Sequence, residues 1–209
     1  MIRLLLFAGM IMLLGSCGQA WQGRKELPVL GEKDEIDGKT VFHTIPEWQF
    51  LNQDSQLVSL NDYRDKVHIA EFFFTSCPSI CPVVKKQLLR VWEKYRDNDR
   101  VAIVSFSIDP KRDTPERLHQ YAANLGISAP KWQLLTGEKD AIYSLATDYF
   151  SIALETDEAP GGFDHSGRLI LVDPEGKIRS FCNGTDEVEV TRFLKDIDVL
   201  LEELETTVN

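Results

Sequence analysis

Two long apolar runs dominate the hydrophobic pattern of the chain, at residues 67–74 and 101–108. Near-continuous apolar runs of this length are typical of strands that are buried on both faces. Shorter strand-like segments stand, in chain order, at 48–51, 57–60, 132–135, 168–172 and 177–181. The first two are joined by NQDS and the last two by DPEG, so the sequence predicts an N-terminal β-hairpin and a second hairpin later in the chain.

Helical patterns separate these strands. Thr114 and Pro115 supply an N-cap and a first-turn proline for a helix that ends near Gly126. The alternation of strands and helices, followed by a hairpin and a last helix, predicts an α/β fold, with a mixed central sheet and helices on both faces. The remaining predicted segments are helices over 82–95, 138–149 and about 186–204, and an irregular segment over 150–164.

The N-terminus carries a targeting pattern. Arg3 precedes an apolar run of 11 residues at 4–14, which is too short to span a bilayer but typical of the core of a signal peptide. The run ends in LGSC at 14–17, which resembles the lipobox of bacterial lipoproteins. We therefore expect cleavage before Cys17 and a lipid on this cysteine. The alternative is an ordinary secretory leader or membrane anchor in which Cys17 is incidental.

This cleavage site divides the chain into a lipoprotein signal peptide at 1–16, a polar lipid-anchored tether at 17–44, and a globular domain at 45–209. An acylated cysteine would hold the domain at a membrane surface without a spanning helix. The sequence thus predicts an exported, membrane-anchored lipoprotein with its domain on the extracytoplasmic, periplasmic side. A formal net charge of −10 argues against a nucleic-acid partner, because such partners require a basic face.

The sequence CPSIC places Cys77 and Cys81 directly after the apolar run 67–74. If a helix begins near Pro78, both sulfurs lie on one face of its first turn. Free backbone amides and the helix dipole favour thiolates there. Thiolates suit disulfide exchange and soft-metal binding equally, so the spacing alone leaves both a redox pair and a metal site open.

His165, in the sequence FDHS at 163–166, is a third candidate ligand because loops at strand ends often carry sites in α/β folds. Two thiolates and one imidazole form a soft donor set that suits Cu(I) and, with rearrangement, Cu(II). The alternative is a hydrogen-bonded loop histidine without a metal. Cys182 follows a predicted strand, and we expect it to be an unpaired thiol outside the site.

These motifs resemble the Sco (SenC) family, thioredoxin-fold copper proteins that assemble the binuclear CuA centre of cytochrome c oxidase. The resemblance covers about 40–204 and rests on FTSCPSICP at 74–82, SIDPKRDTP at 107–115, and DHS at 164–166 followed by LVDPEG at 171–176. It implies a thioredoxin-like fold with an insertion before the histidine-bearing loop. It also implies one copper per chain, held by Cys77, Cys81 and His165, and thiol–disulfide activity of the two cysteines.

The same resemblance suggests roles for two carboxylates. Asp109 ends the second apolar run and would orient a ligand or set its charge. The alternative is a turn carboxylate that accepts nearby amide hydrogen bonds. Glu71 resembles the buried acid that thioredoxins place at a similar distance before their cysteines, where it aids proton transfer at the resolving thiol. The alternative is an edge-strand carboxylate that faces water.

The sequence therefore predicts a metallochaperone that passes copper to subunit II of cytochrome c oxidase. A thiol reductant is a further expected partner, whereas the sequence does not indicate the copper donor. One alternative is a thiol–disulfide reductase that acts on the recipient cysteines. It needs only Cys77 and Cys81, whereas the chaperone also needs His165. A second alternative is a sensor that reports copper or redox state to a partner.

Overall fold

The structure is a computed structural model that describes residues 26–156 and 158–207. Within these residues the chain forms four α-helices: α1 Cys81–Tyr95, α2 Pro115–Leu125, α3 Lys139–Asp148 and α4 Glu187–Thr207. The strands are β1 Lys33–Ile36, β2 Lys39–Phe42, β3 Gln49–Asn52, β4 Leu57–Ser59, β5 Val67–Phe73, β6 Val101–Ser107, β7 Trp132–Thr136, β8 Ala153–Glu155, β9 Phe163–His165, β10 Arg168–Val172 and β11 Ile178–Asn183.

A seven-stranded mixed sheet has the spatial order β11-β10-β5-β6-β7-β3-β4. The two long apolar runs form β5 and β6, which pair in parallel from Val67 opposite Val101 to Phe73 opposite Ser107. All residues of both strands are buried, as the continuous apolar pattern predicted. β7 pairs in parallel with β6, whereas β10 runs antiparallel to β5 and to β11. The hairpin β3–β4 completes the sheet and confirms the predicted N-terminal hairpin.

Helices cover both faces of the sheet, as predicted. Successive side chains of a strand point to opposite faces. The Phe73 ring lies 3.7 Å from Lys85 Nζ of α1 and 5.7 Å from the Tyr121 ring of α2. The neighbouring Phe72 ring contacts Tyr149, which directly follows α3. Helices α1 and α2 therefore pack on one face of β5, and the end of α3 packs on the other.

Helix α2 has the ends that the sequence predicts. The Thr114 side chain accepts a hydrogen bond from the Arg117 amide at 3.4 Å, and Pro115 occupies the first turn. Gly126 ends the helix with a φ of 69°, a left-handed conformation that costs glycine little because it has no Cβ. Capping residues in the local sequence therefore determine both ends of α2.

The prediction of an irregular segment over 150–164 is wrong in part. β8 and β9 form a two-stranded antiparallel ladder in which Ala153 lies opposite His165. Each strand has three residues, which is too short to show a period-two pattern in the sequence. This ladder places His165 in a strand, whereas the sequence had placed it in a loop.

Part of the predicted tether packs on the domain. The Leu30 amide donates to the Ile178 carbonyl of β11 at 2.8 Å, and Leu27 is buried. The Arg179 guanidinium donates to the carbonyls of Leu27 and Pro28 at 2.6 and 3.2 Å. The segment around 27–30 therefore lies along the outer edge of β11. Across the part of the chain that the structure describes, none of the helices is long and apolar enough to cross a membrane.

Leu88 and Val83 provide a matched test of the core on one helix. Leu88 of α1 is fully buried, whereas Val83 is 42% exposed. Leu88→Ala removes buried apolar surface and leaves a cavity, so we expect a loss of about 2–5 kcal/mol in the free energy of unfolding. Val83→Ala should change it by less than about 0.5 kcal/mol. Urea unfolding followed by circular dichroism measures both, and equal losses would contradict this account of the core.

Candidate metal centre

The cysteine loop, residues 74–80, joins the end of β5 to the start of α1. The Cys77 amide donates to the Phe74 carbonyl at 3.3 Å, and this bond closes a tight turn after the strand. The amides of Val83 and Val84 both donate to the Ile80 carbonyl at 3.0 Å, so the helix begins there. Cys77 therefore lies in the loop, and Cys81 is the first residue of α1.

The helix that the sequence predicts over 82–95 is confirmed to within one residue at its start, whereas a helix that begins near Pro78, the condition for placing both sulfurs on its first turn, does not form. Pro82 has no N–H and cannot donate the bond that a helix starting at Pro78 would need from it. The Cys81 amide favours the thiolate form of Cys77 and lowers its pKa. The two cysteines are consequently not equivalent positions on one helical turn, because their backbone environments differ.

Two thiol sulfurs and one imidazole nitrogen lie close together beside the cysteine loop. The His165 Nε2 atom lies 3.1 Å from Cys81 Sγ and 3.8 Å from Cys77 Sγ. The ligand atoms of all three residues lie within 4.8 Å of one another, and all three residues are buried. Cys77, Cys81 and His165 form a group that can hold a metal ion, and two sulfurs with one nitrogen favour a soft ion such as copper.

The turn that precedes β9 helps to enclose the cysteine loop. Gly161 has a φ of +80°, and a Cβ built there would lie 2.9 Å from the Phe74 ring and 3.1 Å from Pro78 Cδ. The Phe74 ring in turn packs edge-on against the His165 ring, with 5.3 Å between their centroids. A residue without a side chain is thus needed for the turn to approach the loop this closely.

The pKa values of the two thiols are shifted in opposite directions from the ordinary value. Burial raises the pKa of Cys77, but hydrogen bonds from the amides of Cys81 and Ser79 and from their side chains outweigh it and lower this pKa below its ordinary value. Burial raises the pKa of Cys81 strongly, even though the Phe74 backbone and the Lys85 charge favour its thiolate. Cys77 is therefore the thiol that ionises first.

The His165 ring is held in its neutral form near neutral pH. Burial lowers its pKa below the ordinary value, while Glu71 and Asp164 act in the opposite direction. A neutral imidazole keeps a lone pair available for a metal or for a thiol proton. The site therefore combines one acidic thiol, one weakly acidic thiol and a neutral imidazole.

A family model described as SCO1/SenC matches residues 37–202 of the chain. The chain belongs to the SCO1/SenC family. Because the match contains Cys77, Cys81 and His165, the whole donor group lies within the part of the chain that defines the family.

Solved structures of SCO1/SenC proteins share the fold. A family lipoprotein from Bacillus anthracis superposes with a TM-score of 0.69 at 27% identity, covering 76% of this chain and 95% of that one. BsSco, a member of the Sco family of cytochrome c oxidase assembly proteins, gives 0.66 at 31% identity, covering 76% and 93%. Arabidopsis thaliana ScoI with copper bound gives 0.61 at 29% identity, covering 73% and 97%. These likenesses confirm the thioredoxin-like fold of the family.

Glu71 lies on an interior strand of the seven-stranded sheet. Its strand β5 is flanked by β10 and β6, and its side chain is buried, so the edge-strand alternative is wrong. The carboxylate forms an ion pair with Lys85 and accepts a hydrogen bond from the Ser105 hydroxyl at 2.5 Å. Lys85 follows Cys81 by about one helical turn, so the Glu71–Lys85 ion pair joins β5 to the beginning of α1. A role in proton transfer at the thiols stays a prediction.

Asp109 is buried near the end of β6, and its carboxylate forms an ion pair with Arg112 at 3.0 Å. Its backbone carbonyl accepts the amides of Arg112 and Asp113, which closes the turn after the strand. These contacts tie Asp109 to its own turn. Orientation of a metal ligand by this carboxylate stays a prediction.

Cys182 stands apart from the donor group. Cys182 is a buried free thiol on β11, opposite Leu169 of β10, and burial raises its pKa. It does not belong to the group of Cys77, Cys81 and His165. Cys17, the predicted site of lipid attachment, lies outside the described residues.

Two residues beside the centre, Lys85 and Asp113, are not among the candidates that the sequence predicts. Lys85 is four residues after Cys81, so helical spacing could have placed it on the same buried face of α1. Asp113 is fully buried and accepts hydrogen bonds from Thr75 of the cysteine loop. Its place in the sequence gave no such signal, because residues 75 and 113 meet only through the pairing of β5 with β6.

Alkylation should separate the three described cysteines. The thiolate is the reactive form, so Cys77, whose pKa is lowered, should react with iodoacetamide first and remain reactive below the ordinary thiol pKa of about 8.5. Cys81 and Cys182 have raised pKa values and should react slowly in the folded, reduced, metal-free protein. Peptide mass spectrometry over a range of pH measures each site. Equal rates at Cys77 and Cys81 would contradict the assigned asymmetry.

Proposed function

We propose that this SCO1/SenC protein is a copper metallochaperone that delivers copper to the CuA centre in subunit II of cytochrome c oxidase. The observation that carries the proposal is the convergence of Cys77, Cys81 and His165 within 4.8 Å. This donor set matches the preferences of Cu(I), and of Cu(II) with rearrangement. The copper bound by Arabidopsis thaliana ScoI and the assignment of BsSco to the oxidase assembly proteins support the proposal.

The geometry suits an ion that is held and then passed on. Two thiolates and one imidazole are only three ligands, so a donor atom from a recipient protein can join the coordination before the chaperone ligands leave. The Cys77 thiol ionises readily, whereas Cys81 must lose a strongly held proton when a metal binds. Cys77 therefore provides the first thiolate, and proton loss from Cys81 completes the dithiolate site.

A thiol–disulfide reductase is a second candidate, and the asymmetry of the two thiols favours it. A thiol with a lowered pKa beside one with a raised pKa matches an attacking and a resolving cysteine. The Cys77 thiolate would attack one sulfur of a recipient disulfide, which breaks that bond, frees the other recipient sulfur as a thiol and forms a mixed disulfide. Cys81 would then attack the Cys77 sulfur, which releases the second recipient thiol and forms a Cys77–Cys81 disulfide. Both electrons come from Cys77 and Cys81, which end as a disulfide. His165 supplies no electrons to this exchange.

We also propose that the protein is a lipoprotein anchored on the periplasmic side of a membrane. The support is the leader sequence, its LGSC ending at 14–17, and the likeness to the Bacillus anthracis family lipoprotein. A lipid on Cys17 would keep the domain close to a membrane-bound recipient, which raises the effective concentration of the two partners.

His165→Ala separates the chaperone from the reductase. We expect Cu(II) binding to fall by more than the ~10–100-fold typical of losing an outer-shell partner, because a direct ligand is lost. The intense thiolate-to-Cu(II) absorption should weaken or shift. Cu(I) binding should suffer less, because two thiolates alone can hold this ion. Optical titration and competition with a Cu(I) chelator measure the two effects.

Oxidase assembly in cells decides between the two functions. Copper handling predicts impaired assembly in His165→Ala and in Cys77→Ser, whereas thiol reduction predicts failure only in the cysteine variants. Cys182→Ser is the matched control, since it removes a buried thiol outside the donor group and should leave copper stoichiometry and assembly unchanged. An unchanged Cu(II) spectrum in His165→Ala would remove this histidine from the site.

Cys17→Ser tests the anchor. The parent protein should partition with membranes and carry a lipid mass on Cys17 after cleavage, and the variant should lose both. Intact-mass spectrometry and membrane fractionation measure these properties. An unmodified Cys17 at the N-terminus of the mature parent protein would refute lipid attachment while leaving the copper proposal intact.

A further inference from the structure

A fully buried carboxylate lies beside the cysteine loop and is not one of the three candidate ligands. Asp113 stands just before the N-cap of α2 and has no exposed surface. Its carboxylate accepts the Thr75 amide at 2.9 Å and the Thr75 hydroxyl at 2.5 Å. It also accepts the Ser107 hydroxyl at 2.6 Å and lies 3.4 Å from the Arg117 guanidinium. Three hydrogen-bond donors and one guanidinium charge thus surround one carboxylate.

These contacts join three parts of the fold. Thr75 belongs to the cysteine loop, Ser107 ends β6, and Asp113 and Arg117 flank the start of α2. The Arg117 Nε donates to the Thr75 hydroxyl at 2.7 Å, so this hydroxyl accepts from Arg117 and donates to Asp113. Both the backbone and the side chain of Thr75 are consequently fixed by one buried acid.

The position of Cys77 depends on this arrangement more than the positions of the other two ligands. Cys81 is fixed by α1, whose Val84 and Leu88 are buried in the core. His165 is fixed by the β8–β9 ladder. Cys77 lies in the loop, two residues after Thr75 and outside any strand or helix. A shift of Thr75 would therefore move the Cys77 sulfur relative to the other two donors.

We propose that Asp113 is a positioning residue for the metal centre, which acts through Thr75 to hold Cys77 Sγ within reach of Cys81 and His165. The part of this inference that concerns copper rests on the proposed function. A metal binds more tightly to preorganised ligands, because fewer protein groups have to be ordered when it binds. The charge of Asp113 matters as well as its shape, since an amide at this position would turn an NH₂ group towards hydroxyl or amide donors.

Two variants break the arrangement at different points. Asp113→Asn keeps the size of the side chain but removes half of its acceptor capacity. Thr75→Val keeps the branched shape of the side chain but removes the hydroxyl that joins Asp113 and Arg117. Thr75→Ser retains a hydroxyl and should restore the parent behaviour. If Asp113→Asn does not fold, the Thr75 pair still tests the proposal.

Asp173 provides the matched control. It is also a buried turn carboxylate, and it accepts the amides of Glu175 and Lys177 at 3.0 and 2.9 Å and pairs with Arg179. It follows β10 at Val172, which pairs with His68 near the start of β5, so it lies at the opposite end of the sheet from Cys77. Asp173→Asn should therefore destabilise the fold without changing the metal centre.

Copper binding should distinguish the two test variants from the two controls. Asp113→Asn and Thr75→Val should weaken copper binding about tenfold, the lower end for outer-shell partners, and should shift the thiolate-to-Cu(II) absorption. Thr75→Ser and Asp173→Asn should retain the parent affinity and spectrum. Folded Asp113→Asn and Thr75→Val variants with parent affinity and spectrum would overturn the proposal.

Hydrogen exchange of the reduced, metal-free protein gives a readout that needs no copper. In the two test variants, the amides of residues 75–77 should exchange about tenfold faster, because a hydrogen bond to a charged group has been lost. The amides of Val84 and Leu88 in α1 should keep their parent rates, and so should residues 75–77 in Asp173→Asn. Uniform acceleration across the domain, or none at 75–77, would refute positioning by Asp113.

If the parent binds no copper, the proposed function fails, while the exchange result still decides the role of Asp113.

Discussion

The parallel pairing of β5 with β6 is the constraint on which the metal centre depends. Both strands are buried along their whole length, so their backbone groups must be satisfied by each other and by the flanking strands. The pairing continues past the last sheet residues, where the Ile108 amide donates to the Phe73 carbonyl at 2.8 Å. Because parallel strands end at the same edge, the cysteine loop and the turn that contains Asp109 leave the sheet side by side.

The centre combines exclusion of water with a few fixed donors. Burial alone would raise the pKa of both thiols, and it does so for Cys81. For Cys77, hydrogen bonding from the Ser79 amide in the loop and from the Cys81 amide at the start of α1 outweighs burial. In a site that excludes water, such amide hydrogen bonds act more strongly than they would at the surface. Cys77 in the loop and Cys81 at the first residue of α1 therefore have opposite pKa shifts.

Buried charges surround the centre, and each described one has partners. Glu71 is paired with Lys85 and bonded to Ser105, while Asp113 accepts hydrogen bonds from Thr75 and Ser107. An unpaired charge in such an interior would be strongly destabilising, so each pair also fixes the elements that carry it. The ion pair ties β5 to α1, and Asp113 ties the cysteine loop to β6 and α2. The same contacts thus pair the buried charges and hold the elements that carry the ligands.

The sequence by itself determined the local elements and the candidate ligands. The apolar runs predicted β5 and β6, Thr114 and Gly126 predicted the ends of α2, and the motifs around Cys77, Cys81 and His165 indicated a copper centre. Each of these rests on periodicity, capping or a short motif, which neighbouring residues alone encode. Strand pairs of three residues, such as β8 with β9, are too short for such a signal.

Only the tertiary structure decided how the ligands are held and how they differ. The meeting of Asp113 with Thr75, and the burial of Glu71 against Lys85, join residues that are 38 and 14 positions apart. The helical pattern predicts the start of α1 to within one residue, but it does not encode which amides favour the thiolate of each cysteine. The acidity of each thiol follows from burial and hydrogen bonding, which are properties of the packed molecule and not of the motif.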